Sequence, residues 1–245
     1  MKLLVVIPAH NEEAIIAKNL ERVFEVFPPL LSAYDWRVVV AENGSSDTTV
    51  SRVQNLTTTY PRLELMSLTE RGKGNAIRTA WGAQDADLFL FMDADLSAEL
   101  SDIPRLLDAL TEADLAIGSR SHKEARIRRS ALRTIISHTY NAMARLALSL
   151  PIQDFQCGFK AVRQHVVRDL LPKTTHSGFF FDTELIALAL HEDYHVAQVP
   201  ITWTESGTGG RRSQIKLGRT SFELLSNLWE LRGRIHRMRR HDLIQ

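Results

Sequence analysis

The sequence lacks most of the features that would settle its surroundings at once. It holds one cysteine, Cys157, in 245 residues. A lone thiol excludes an internal disulfide and fits a reducing compartment. No stretch approaches the ~18 consecutive apolar residues of a membrane span, so no transmembrane helix is expected. The first apolar run, Leu3 to Ile7, is too short for the core of a signal peptide, and no cleavage site follows it. Glycine is missing where a dinucleotide fold needs it. After that run the chain reads Pro8-Ala9-His10-Asn11-Glu12-Glu13 rather than G-x-G-x-x-G, which argues against an ordinary nicotinamide dehydrogenase. Walker A is absent as well, the nine histidines show no metal-ligand spacing, and there is no internal repeat or low-complexity tract. Net charge is close to absent at +1, but only by cancellation. Residues 211–241 carry nine Lys/Arg against two Asp/Glu, a surplus of seven, so the remainder stands at −6. A basic C-terminal segment on an acidic body suggests an anionic partner at that end, a membrane surface or a phosphorylated substrate. Nucleic acid is set aside, because the aromatic platforms on which single strands stack are not there.

What the chain does have is a repeating order. Leu3 to Ile7 reads as a buried strand, and a helix opening at His10-Asn11-Glu12-Glu13 places Ile16, Leu20, Val23, Phe24 and Phe27 on one face. Pro28-Pro29 is expected to stop it. Trp36 to Val40 is a second strand, closed by Glu42-Asn43-Gly44-Ser45-Ser46-Asp47, and Leu63 to Leu68 is a third. Arg71-Gly72-Lys73-Gly74 is a tight basic turn into a helix. The fourth strand, Leu88 to Met92, ends abruptly in Asp93 and Asp95. Five apolar residues in a row suit a strand buried on both faces, so the two carboxylates belong where it leaves the sheet. Ligands of open α/β sheets bind at such strand ends. A carboxylate pair there is a seat for a divalent cation, and the cation a seat for a diphosphate. Leu115 to Gly118 is a fifth strand, ending at Ser119-Arg120, and His195 to Trp203 reads as one more. Strand and helix alternating at this spacing predict an α/β fold with a doubly wound, mostly parallel sheet. An arginine-rich stretch, Arg126 to Arg133, precedes a long helix, and Glu205 to Ser213 reads as a basic loop. A final helix from about Thr220 to Arg240 has an apolar stripe at Phe222, Leu225, Leu228, Leu231, Ile235 and Met238, with arginines on its other side.

Seven short stretches share an order with a known family. They are Ile7 to Glu12, Glu42 to Asp47, Arg71 to Gly74, Met92 to Asp95, Gly118 to Arg120, Asp154 through Gly158-Phe159-Lys160, and Phe181 to Glu184. In that order and spacing the chain resembles the inverting GT-A glycosyltransferases of family 2. Within them it is similar to the polyprenyl-phosphate sugar synthases, the dolichyl-phosphate mannose and glucose synthases and their bacterial relatives. The resemblance implies a nucleotide-diphospho-sugar transferase fold over residues 1–217, followed by a basic amphipathic C-terminal helix over 218–245. It implies transfer of a hexose from a nucleoside-diphosphate sugar, of the UDP-glucose or GDP-mannose type, to a polyprenyl phosphate. Leu96-Ser97 after the acidic pair leans away from GDP-mannose. Two other readings stay open: a soluble or polysaccharide acceptor, and a non-catalytic sugar-nucleotide or membrane-binding module.

Residue roles follow from the same resemblance. Asp93 and Asp95 would hold Mg²⁺ or Mn²⁺, with Asp95 and Asp154 as the catalytic pair. Pro8, Ala9, His10, Glu12, Glu42, Lys73, Asp93, Ala94 and Asp95 would line the donor nucleotide. Glu42 stands in Ala41-Glu42-Asn43, where paired aspartates are common. Arg120, Arg133 and Arg212 would bind the acceptor phosphate, since arginine meets phosphate oxygens with two parallel bonds. Plainer readings remain beside several of these. Glu12 also suits a helix N-terminus, Lys73 a solvated position, and Asp154 a turn cap before Gly158. Asp182 and Glu184 either orient basic groups near the acceptor or cap a helix, and Cys157 reads as a buried small residue. The expected location is the cytoplasmic face of a membrane, with the helix near Ser130 and the C-terminal helix as contact surfaces.

Overall fold

A computed structural model of the chain describes residues 1–205 and 217–242. Its first half follows the expected alternation: β1 (Lys2–Ala9), α1 (Ile16–Leu30), β2 (Asp35–Asn43), α2 (Thr49–Thr57), β3 (Leu63–Leu68), α3 (Lys73–Ala83), β4 (Leu88–Met92), α4 (Ile103–Asp108) and β5 (Leu115–Ser119). The second half adds β6 (Arg126–Arg128), α5 (Ala131–Leu148), β7 (Phe159–Arg163), α6 (Gln164–Leu170), α7 (Phe181–His191), β8 (Val196–Pro200), β9 (Thr202–Thr204) and α8 (Leu217–Asp242).

Seven strands form one sheet in the order β3-β2-β1-β4-β7-β5-β8, and β6 pairs with β9 in a small second sheet. In the large sheet β7 alone runs antiparallel to its neighbours. The chain winds outward from β1 through β2 to β3, then returns to place β4 on the other side of β1. That reversal is a topological switch point, and it lies between the ends of β1 and β4. Both sides of the sheet are covered. Leu3, Val5 and Ile7 of β1 join the core beneath α1 and α4, whereas Leu4 and Val6 join the core beneath α3, α6 and α7. A strand whose alternate residues are buried on opposite faces has no polar positions to show, which is why β1 and β4 read as unbroken apolar runs.

Three expectations are corrected. The first helix begins at Ile16, so His10 to Ile15 form a turn at the end of β1 and Glu12 is not a first-turn carboxylate. Pro28 and Pro29 do not stop it. They occupy its exposed last turn, and the Leu31 N–H still reaches the Phe27 carbonyl at 2.8 Å. The stretch from His195 to Trp203 divides at Pro200-Ile201, with β8 on the large sheet and β9 on the small one. The C-terminal segment is helical, and Leu228 and Leu231 are buried against α5 and α7. Leu225, Ile235 and Met238 pack on the same cluster. The side chain of Phe222 lies outside the described residues.

Candidate active site

The register of the sheet brings the expected donor residues together. Ala9 of β1 is level with Glu42 of β2, and Val6 of β1 with Phe91 of β4. Pro8, Ala9, His10, Glu12, Glu42, Asp93, Ala94 and Asp95 therefore gather at one edge of the sheet. Asn43, which sequence reasoning did not single out as a site residue, ties that edge. Its side-chain amide donates to the Ala9 carbonyl at 2.9 Å, and its Oδ1 accepts the Gly72 N–H at 3.1 Å. Its backbone carbonyl lies 3.0 Å from Nδ1 of His10. The Glu42 carboxylate accepts the Ser45 N–H, so it also shapes its own turn. The Glu12 N–H is fixed by the Thr49 hydroxyl at 2.8 Å.

At the end of β4 the chain turns tightly. The Leu96 N–H donates to the Asp93 carbonyl at 3.1 Å, and the Ser97 N–H to Oδ1 of Asp95 at 3.0 Å. Asn19 of α1 donates to the Ala94 carbonyl at 2.8 Å. From the other side the Asp93 N–H donates to the Gly158 carbonyl at 3.1 Å. The approach is close enough that a Cβ on Gly158 would fall 1.9 Å from Oδ2 of Asp93. Only glycine leaves the Asp93 carboxylate in its present place.

Lys73, at the start of α3, sets its ammonium between Oδ1 of Asp93 at 2.9 Å and Oδ2 of Asp182 at 3.1 Å. Burial works against that charge, but Asp182 and Asp93 outweigh it and hold the amine above its ordinary value. Asp182 also accepts Lys160 of β7, which is fully buried and donates to the carbonyls of Phe155 and Cys157 at 3.3 and 2.5 Å. One chain of charges thus runs from Asp93 through Lys73, Asp182 and Lys160 to the backbone beside Asp154. Asp182 thus holds two lysines, one against Asp93 and one against the backbone beside Asp154. Lys160 was not expected in the site. Its signal is a lysine inside an otherwise apolar strand, Phe159 to Val162, where a charge survives only if paired.

Asp154 has no exposure and is gripped on both oxygens by Arg120. Arg120 donates Nε to Oδ2 at 2.7 Å, Nη2 to Oδ1 at 2.9 Å and its backbone N–H to Oδ2 at 3.0 Å. Burial alone would raise this carboxyl, yet Arg120 brings it down to about 2. The guanidinium also lies over the Trp203 ring, 4.9 Å from its centroid. The Phe155 N–H donates to Asn141 of α5 at 3.0 Å, which pins the backbone next to Asp154. Arg133 stands in the first turn of α5 and pairs with Glu205 rather than with the Arg120–Asp154 pair. Arg212 lies outside the described residues. Burial pushes the Cys157 thiol up to about 12, so it is no nucleophile.

Among the described residues no group of three or more His, Cys, Asp and Glu is gathered for a metal. The acidic pair nonetheless suits a hard cation that takes its remaining ligands from a substrate. Burial, and then the charge of Asp93, raise the Asp95 carboxyl. A second positive charge would relieve both, and Mg²⁺ sites commonly pair one or two carboxylates with substrate phosphates.

An acidic pair at the switch point of a doubly wound sheet, with a buried lysine against it, is a seat for a phosphorylated ligand and its cation. Comparison with known proteins shows the class: the chain belongs to glycosyl transferase family 2, whose model matches residues 4–171. The polyprenol monophosphomannose synthase of Mycolicibacterium smegmatis is 31% identical, over 97% of this chain and 90% of its own length. The dolichyl-phosphate beta-glucosyltransferase of Saccharomyces cerevisiae is 28% identical, over 83% of this chain and 67% of its own. Glycosyltransferase AglD of Haloferax volcanii is 30% identical over 84% of this chain, which spans only 34% of that larger protein. Among solved structures, glucosyl-3-phosphoglycerate synthase from Mycobacterium tuberculosis, in complex with Mn²⁺, UDP and glucosyl-3-phosphoglycerate, superposes with a TM-score of 0.70 at 21% identity, covering 95% of this chain and 80% of that one. At that identity the likeness concerns the fold.

Proposed function

We propose that the chain transfers a hexose from a nucleoside-diphosphate sugar to a polyprenyl phosphate, with inversion at the anomeric carbon. The observation that carries this reading is the state of Asp154. A sugar or protein hydroxyl acceptor needs a general base with a pKa near the working pH. Asp154, the carboxylate expected beside the reacting atoms, stays ionised down to about pH 2 and has both oxygens held by Arg120. It is a poor proton acceptor. A monophosphate monoester has a second pKa near 6, so at neutral pH its oxygen arrives as an anion and needs no base. Asp154 instead orients Arg120, whose Nη1 is not used in the pair and is left to meet the acceptor's phosphate.

On the donor side Asp93 and Asp95 would hold the divalent cation. That cation would supply Lewis-acid neutralisation of the leaving nucleoside diphosphate. Lys73 adds a buried positive charge at the same edge. The names of the two relatives covered over most of their length, a polyprenol monophosphomannose synthase and a dolichyl-phosphate beta-glucosyltransferase, support a lipid-phosphate acceptor. No helix among the described residues is long and apolar enough to cross a membrane. Leu132 and Ile135 are 62% exposed at the start of α5, beside Arg133, and Trp229 of α8 is 65% exposed. Exposed apolar residues among arginines suit an interfacial contact.

The test uses purified protein, polyprenyl phosphate in detergent, Mg²⁺ and radiolabelled UDP-glucose or GDP-mannose in separate tubes. Label is expected in the lipid phase with one donor, and it should vanish with Asp95→Ala. No label with either donor would reject the lipid acceptor, and label surviving in the variant would reject the cation seat. Co-sedimentation with anionic vesicles, lost in the double variant Leu132→Asp/Ile135→Asp, checks the surface contact.

A further inference from the structure

Glu184 and Arg234 have had no part in the chemistry so far, yet both lie on a path to the donor site. Glu184 of α7 is fully buried. Its carboxylate accepts the Thr175 N–H at 3.1 Å on each oxygen, the Thr175 hydroxyl at 3.0 Å and the His176 N–H at 2.9 Å. Its cationic partner is Arg234 of α8, which also donates to the Thr175 hydroxyl. One carboxylate and one guanidinium from the far end of the chain therefore hold Thr175 and His176, directly before Ser177.

The segment 175–177 is a wall of the turn before α3. The Ser177 carbonyl accepts the Asn75 N–H at 2.9 Å. A Cβ on Gly72 would lie 2.3 Å from the same carbonyl oxygen, and Gly72 has a φ of +137°. On its other side the Gly72 N–H donates to Asn43 Oδ1. Gly72 is thus clamped between Ser177 and the end of β2, and Lys73 follows it directly. Where the Lys73 ammonium sits between Asp93 and Asp182 depends on where residues 175–177 sit. These in turn depend on Glu184 and Arg234.

We propose that Arg234 and Glu184 are positioning residues for the donor site: through residues 175–177, the C-terminal helix sets the turn that presents Lys73 to the donor's diphosphate. This rests on the sugar-nucleotide reading above. It makes α8 part of the donor-binding machinery as well as a cover for the core. A merely structural role would hold the helix in place and leave nucleotide affinity alone.

Calorimetric titration of the full chain with UDP and with GDP in the presence of Mn²⁺, joined to donor and acceptor KM values, separates the two. The control is Arg232→Gln. Arg232 anchors the same helix to the Ala147 carbonyl of α5 at 2.8 Å and does not reach Glu184. Arg234→Gln is expected to weaken nucleotide binding about tenfold and to raise the donor KM while the acceptor KM holds. Arg234→Lys, which keeps the charge but loses the fork, should recover part of the loss, and Arg232→Gln should bind nucleotide as the wild type does. Wild-type affinity in Arg234→Gln, or an equal loss in Arg232→Gln, overturns the proposal. Glu184→Gln reaches the same loss by a second route should the arginine variant fail to fold, and the same two outcomes decide. A wild-type chain that binds neither nucleotide would overturn the sugar-nucleotide reading itself.

Discussion

Replacing Asp154 by asparagine is expected to remove both activity and a large share of stability. Asparagine keeps the shape but cannot neutralise Arg120, whose side chain is only 12% exposed. Breaking a buried pair by removing one partner costs about 3–5 kcal/mol, because the other charge is left uncompensated. Turnover should fall by about 10²–10³, the usual loss when one oriented group aimed at reacting charge is removed. Removing both charges with Arg120→Met/Asp154→Leu should restore much of the stability and none of the turnover, which distinguishes the two effects. Acid unfolding gives an independent reading. The Asp154 carboxyl titrates near 2 in the folded chain, below its unfolded value of about 3.9. The stabilisation it supplies is therefore complete above about pH 4 and lost as the pH falls through 2. Denaturant midpoints measured from pH 6 to 2 should show that loss in the wild type and a shallower one in Asp154→Asn. Equal slopes would mean that the pair does not form.

Gly158→Ala is expected to leave the fold nearly intact and destroy cation binding. The added methyl meets all three outer atoms of the Asp93 carboxylate at 1.9–2.5 Å. That carboxylate is the free end of a short side chain, so the cheapest relief is rotation of Asp93 away from Gly158. Rotation breaks the Lys73 contact and splits the Asp93–Asp95 pair. A displacement of about 1 Å at a reacting centre costs on the order of 10²-fold in rate. Titration of Mn²⁺ by electron paramagnetic resonance should show loss of the bound signal, with kcat/KM down about a hundredfold while the thermal midpoint moves by only a few degrees. Unchanged Mn²⁺ affinity would show that the carboxylate has room the structure does not give it.

The sequence carried the parallel half of the sheet because each signal there is local. Leu3 to Ile7 and Leu88 to Met92 are apolar throughout since both faces of β1 and β4 are covered. The acidic pair fell at a strand end because both faces of β4 are packed into apolar core and offer a carboxylate no partner. The rest depends on partners distant in sequence. Arg120 meets Asp154 across 34 residues, and Lys160 meets Asp182 across 22. Nothing local marks the first bond, and the lysine inside β7 signals that it needs a partner without saying which one. The direction of β7 was equally hidden, because a short strand reads the same whichever way it runs, and only the insertion of β7 between β4 and β5 fixes it as antiparallel. The single strand expected from His195 to Trp203 failed because periodicity does not report which sheet a residue joins. Asn43 is an uncharged residue inside a turn motif, and nothing local shows that it binds three backbone segments to one another.

Cys157 gives the protein a reporter that needs no engineering. Its thiol is the chain's only one and is wholly buried. Its backbone carbonyl is held by Lys160, and it lies three residues from Asp154. An external disulfide reagent can reach this sulfur only when the loop from Asp154 to Gly158 leaves its place. The rate of thiol labelling under native conditions therefore measures how often the loop that carries Asp154 opens. Any ligand that binds the closed site will slow it by the same factor that it stabilises that site.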